Sequence, residues 1–203
     1  MSLRKISCGA LLCVLSLVLS AAAKADTTYT SLSAFQTAEP SATETQTLGT
    51  DGSTVSSATL ADGTVVSFSP SAGILTATVD WATWCCSYTG QVAYQGASSA
   101  SLGTTPVDAI GVFIEPLIFQ TESITVTLGD GTSLTQSVAG DAGAAFFGFV
   151  GSDITSLTIT DASGDSFAEG DFFTVPHVPE PSSLALLGTG LLGLPFVRRR
   201  RRS

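Results

Sequence analysis

Between Asp26 and His177 the sequence contains neither lysine nor arginine, although sixteen of the chain's seventeen Asp and Glu residues fall there. A segment without basic side chains cannot neutralise phosphates, so nucleic-acid binding is excluded. Salt bridges to Lys or Arg inside it are excluded too. Its acids must be solvated, hydrogen-bonded or occupied by cations. Histidine is as scarce: His177 is the single one in the chain. It lies beside Val178-Pro179 and reads as an exposed linker residue, which leaves no Ser-His-Asp or Cys-His set in the central region. A His/Cys metal site lacks ligands for the same reason. Cysteine is limited to four residues, only two of them in the central region, which leaves no disulfide framework. Long amphipathic helices are missing as well, and only 31–38 reads as a short one.

The basic residues sit at the two ends. Arg4 and Lys5 precede an almost wholly apolar run from Cys8 to Leu19, and Ala23-Lys24-Ala25 sets small residues where a signal peptidase inspects the chain. Residues 1–25 therefore read as a secretion-signal helix cleaved before Asp26. Its apolar core is short for the roughly 30 Å of bilayer hydrocarbon, which disfavours a retained anchor. Cleavage removes Cys8 and Cys13 and leaves only Cys85 and Cys86.

The central region, 26–174, is rich in Thr, Ser, Gly, Ala and Val, with period-two alternation. Ile124, Val126 and Leu128 alternate with Thr125 and Thr127, and Leu157 and Ile159 with Thr158 and Thr160. Further strands are expected at 54–60, 64–69, 73–80, 91–95, 109–114, 132–138, 145–150 and 166–174. Asp51-Gly52, Asp62-Gly63 and Asp130-Gly131 supply turn chemistry between them. Many short strands with polar turns predict an all-β fold, an antiparallel β-sandwich of jelly-roll-like type. About 150 residues suffice to bury a core without disulfides.

At the C-terminus, residues 182–197 are uncharged and mostly apolar, about 24 Å long if helical. Arg198, Arg199, Arg200, Arg201 and Arg202 follow, and such a cluster stays cytoplasmic by the positive-inside rule. The expected plan is a β-domain outside, a linker at 175–181, a transmembrane helix at 182–197 and a basic cytoplasmic tail at 198–203. This ending, with Pro179-Glu180-Pro181, a Gly-interrupted apolar segment and terminal arginines, resembles the PEP-CTERM sorting signal of Gram-negative bacteria that make extracellular polysaccharide. The resemblance implies recognition by an exosortase, an integral-membrane cysteine transpeptidase. Cleavage near the motif and release or transfer to the cell surface would follow. A second resemblance spans 108–174, where Gly111-Val112-Phe113, the Gly129-Asp130-Gly131 hairpin and Phe146-Phe147-Gly148-Phe149 follow the order of the β-sandwich domain often found ahead of such tails. Its closing strand usually reads Ile-Asp-Asn-Phe or Leu-Asp-Asp-Phe, where this chain has Glu169-Gly170-Asp171-Phe172.

Candidate chemistry is sparse. Asp161, Asp165, Glu169 and Asp171 cluster within eleven residues and are the candidate calcium ligands, since calcium prefers carboxylate oxygens; no other cofactor is expected. Trp81, Trp84 and Tyr88 offer aromatic faces for stacking on sugar rings, against packing in the core. Asp80 beside Trp81 is the carboxylate to inspect for glycoside hydrolysis. Cys85 and Cys86 are candidates for a vicinal or intermolecular disulfide, with free thiols the alternative. The expectation is an exported, non-catalytic surface or matrix protein, processed by signal peptidase and an exosortase and associated with extracellular polysaccharide. A carbohydrate-binding module is the alternative, and a polysaccharide hydrolase a more remote one.

Overall fold

The structure, a computed structural model, describes residues 26–178 apart from 78 and 86. Ten strands and one short helix occur among them, in the order β1 (Thr27–Tyr29), α1 (Leu32–Ala38), β2 (Thr43–Thr45), β3 (Thr54–Thr59), β4 (Val65–Thr76), β5 (Gln91–Gln95), β6 (Ser99–Pro116), β7 (Thr121–Leu128), β8 (Ser133–Ala139), β9 (Ala145–Asp161) and β10 (Phe167–Pro176). All the strand ladders are antiparallel, and the fold is an all-β sandwich. The secretion signal at 1–25 and the apolar tail at 182–197 lie outside the described residues.

Three strands are much longer than the alternation predicts, and they build both layers. β4 joins the expected 64–69 and 73–80 segments, and β9 joins 145–150 to 157–160. β6 extends the expected 109–114 to eighteen residues. The first half of β6 pairs with β4, from Ser101↔Ser69 to Thr104↔Val66, whereas its second half takes β10 instead, from Val107↔Pro176 to Pro116↔Phe167. Register shifts at Gly103/Val107 and Val107/Ala109 mark the changeover, as expected where a strand turns a corner between two layers. One layer is β3–β4–β6–β9–β7–β8; the other contains β4–β5–β10–β6–β9 with β1 and β2 at its margins.

The inter-layer core takes Ile124, Val126, Leu157, Ile159, Leu102 and Phe68 from the first layer, and Ile110, Val112, Phe147, Phe149 and Phe172 from the second. The second layer is also buried on its outer face. There Phe113, Phe146, Phe173 and Val92 pack under Phe35 of α1 and under Trp81, Trp84 and Tyr88. Burial on both faces explains the continuous apolar runs of β6, β9 and β10, which break the alternation seen in β7 and β8.

Local chemistry supports these elements. Ser31 caps α1, its Oγ accepting from the Ala34 N–H at 3.3 Å, so the helix starts where Phe35 can reach the sheet. Gly131 has φ +95°, and the Asp130 carboxylate accepts from the Thr132 N–H at 2.8 Å, forming the β7–β8 turn.

Candidate functional site

A cleft of about 620 Å³ opens on the outer side of the second layer, lined by Glu44, Gln46, Tyr88, Phe113, Phe146 and Asp171 among others. Glu44 arrives on β2, whose three residues pair with the end of β10 in the register Phe172↔Thr45, Phe173↔Glu44. Asp171 arrives at a bulge. Between Gly170↔Phe113 and Phe173↔Gly111, β10 spends one residue more than β6, and Asp171 takes φ +51° there. The extra residue inverts side-chain parity, so Phe167 and Phe172 both enter the inter-layer core while Ala168 and Phe173 share the outer one.

The bulge sets the Asp171 carboxyl beside that of Glu44 in the cleft. Burial, reinforced by the neighbouring Glu44, pushes Asp171 up to about 7. The Gln46 amide donates to Glu44 Oε1 at 2.7 Å. The Tyr88 hydroxyl donates to the Gln91 carbonyl at 2.9 Å, and burial with the nearby acids raises it far above its usual value, so it stays protonated. Asp171 is only 7% exposed, and its Oδ1 has no hydrogen-bond partner.

The expected calcium cluster is not assembled. Among the described residues no three His, Cys, Asp or Glu side chains are placed to hold a metal ion. Asp161 closes the β9–β10 turn, with Oδ1 accepting from the Ser163 N–H at 2.9 Å and its hydroxyl at 2.7 Å, and Asp165 accepts from the same hydroxyl at 3.3 Å. Glu169 turns inward, where Gln95 Nε2 donates to its Oε1 at 2.6 Å. Asp171 belongs to the cleft. Closeness in sequence failed because a turn, a strand and a bulge send the four carboxylates to three places.

The aromatic stacking platform is likewise corrected. Trp81, Trp84 and Tyr88 are each 6–7% exposed, because the outer face of the second layer needs an apolar cover. Trp81 packs on Tyr94 with ring centroids 5.9 Å apart, and Trp84 on Tyr88 at 6.2 Å. Asp80 is exposed and accepts from the Thr76 N–H at 3.2 Å, a turn role. Cys85 is half-buried in that cover, while Cys86 lies outside the described residues, so their pairing is not described. His177 is not a loose linker residue either. Its Nδ1 lies 2.7 Å from Asp108 Oδ1, its N–H donates to the Pro106 carbonyl at 3.0 Å, and Asp108 raises its pKa.

Sequence reasoning missed Glu44 and the buried Glu115. Glu115 is fully buried beside Thr83 and Trp81, and burial raises its pKa. The legible signal was an acid inside an apolar run, as in Phe113-Ile114-Glu115-Pro116 and Asp171-Phe172-Phe173. Glu44, flanked by threonines in a three-residue strand, carried no such signal.

The outer face of the first layer is different in kind. Across β8, β7, β9 and β6, Thr135, Thr125, Thr160 and Ser99 lie in register. A second row runs Ser133, Thr127, Thr158, Ser101 and on to Ser69 of β4. No charged side chain interrupts these rows, and Thr125 and Thr135 are hydrogen-bonded through their hydroxyls at 2.8 Å. The hydroxyls recur about 4.8 Å apart across strands and roughly 6.7 Å along them.

Residues 177–202 match the family model of the PEP-CTERM protein-sorting motif. The Pro179-Glu180-Pro181 motif and Arg198–Arg202 fall within that match but outside the described residues. The motif supports export and sorting to the cell surface, with an exosortase as the processing partner. No helix among the described residues is long and apolar enough to cross a membrane. No curated protein matches the chain.

Proposed function

We propose that this chain, which carries the PEP-CTERM protein-sorting motif at 177–202, is an exported, non-catalytic surface or matrix protein whose β-sandwich associates with extracellular polysaccharide. In this reading signal peptidase removes 1–25, the apolar tail holds the chain briefly in the inner membrane of a Gram-negative cell, and exosortase releases the domain outward. The observation that carries the association is the uncharged Ser/Thr face of the first layer. A regular array of hydroxyls on a rigid sheet meets a polyhydroxylated chain through many weak hydrogen bonds, direct or through water. It carries no charge on a domain otherwise rich in carboxylates, so neutral or acidic polymers approach this face with least repulsion.

The aromatic-platform form of a lectin is disfavoured because both Trp rings are covered. The test is retention of the full-length protein on an insoluble neutral polysaccharide, with Thr127→Glu/Thr158→Glu compared with the unmodified chain. Both side chains are half-buried on the solvent side and pair directly across β7 and β9, so the two like charges destabilise the fold by about 1 kcal/mol, and a melting curve establishes that the variant is folded. Retention should drop at least about tenfold, the effect of losing roughly 1.4 kcal/mol of binding. Unchanged retention removes the hydroxyl face from the proposal.

A further inference from the structure

The Glu44–Asp171 pair is separate from the Ser/Thr face and belongs to neither processing signal. We propose that it is a divalent-cation site of the calcium class, in which the two carboxylates and the hydroxyls beside them meet the metal.

Three observations converge. Asp171 Oδ1 is a buried oxygen without a hydrogen-bond partner, on a side chain 7% exposed that lines the cleft. Such an atom costs stability unless something meets it. The neighbouring donors are hard oxygens, from the Glu44 carboxylate, the Tyr88 hydroxyl and Ser31, with the Gln46 amide behind Glu44. Calcium selects that set. Finally, no Lys or Arg exists between 26 and 177 to neutralise the pair internally. The titratable groups facing one another are Glu44 from β2, Tyr88 from the segment before β5 and Asp171 from β10. α1 contributes uncharged Leu32 and Gln36 to the rim, and β6 and β9 contribute Phe113 and Phe146.

Two carboxylates without a third acid place the site at the weak end of the calcium range, about 10⁻⁴–10⁻³ M, as in extracellular modules. That suits an exported protein, where the ion is plentiful. The inference does not depend on the polysaccharide reading, and either can fail alone.

The test uses terbium, then calcium, on the full-length protein. Tyr88, stacked near Trp84, is positioned to sensitise terbium emission from this cleft. Emission excited through these rings should appear and be displaced by calcium. Glu44→Gln should weaken calcium at least about tenfold, whereas Asp51→Asn on a remote exposed turn should change nothing. Absence of sensitised emission, emission that calcium does not displace, or emission equally strong in Glu44→Gln would each overturn the proposal. Emission and its displacement in the unmodified protein keep it decidable even if Glu44→Gln fails to fold.

Discussion

Glu169 shows how much a single side chain depends on its surroundings. It is fully buried on β10 and burial pushes it up to about 8, partly opposed by the hydrogen bond from Gln95. At neutral pH the native protein therefore carries it protonated, and Oε2 becomes a donor where the ionised form would bury an uncompensated charge. The unfolded chain ionises Glu169 near its ordinary 4.5, so between about 4.5 and about 8 the native state binds more protons. Stability from this group is full below 4.5 and is lost as pH rises through 8. Asp171 acts in the same direction between 3.8 and about 7. Urea unfolding between pH 5 and 7.5 should show stability falling with pH. Glu169→Gln should reduce that slope by about 1.4 kcal/mol per pH unit, the value for one proton. An unaltered slope would mean that Glu169 is ionised in the native protein.

Among the elements, α1 is the one whose role its length conceals. Seven residues with a Ser31 cap form no stable helix alone, so its order comes from docking. Phe35 is fully buried, edge-on to Phe146 with centroids 5.4 Å apart. The seat exists because Gly111 of β6 faces Gly148 of β9. A Cβ at Gly148 would stand 2.9 Å from the Phe35 ring and 2.6 Å from that of Phe146. Phe35→Ala should cost about 3–5 kcal/mol. It should also detach α1, read as loss of amide-exchange protection over Leu32–Ala38 together with a lower melting temperature. Protection there equal to the unmodified protein's would show that the helix is held by something other than Phe35.

For the whole molecule, the division is between a payload and its address. The sandwich holds together through two cores, and the sorting motif at 177–202 begins immediately after β10 ends at Pro176. His177, held by Asp108 and the Pro106 carbonyl, packs against β6. If an exosortase processes the chain, intact-mass analysis of surface and medium fractions should give a C-terminus near Pro179–Pro181. That product should vanish in cells lacking the exosortase, and an intact tail in both strains would refute processing.

Much of this protein was legible in one dimension. The sorting motif is a linear signal read by another protein, so its order of residues suffices. β3, β5, β7, β8 and the Asp-Gly turns were also legible, because alternation and turn preference are local properties. The tertiary structure decided the rest. Corner-turning in β4, β6 and β9 depends on which partner each half of a strand meets, and no window of sequence contains both partners. Covering the second layer turned Trp81, Trp84 and Tyr88 from candidate ligand contacts into core. The cleft required a bulge on β10 to set Asp171 against Glu44, 127 residues earlier in the chain. Local patterns fix which way a side chain points; only long-range pairing fixes what it meets.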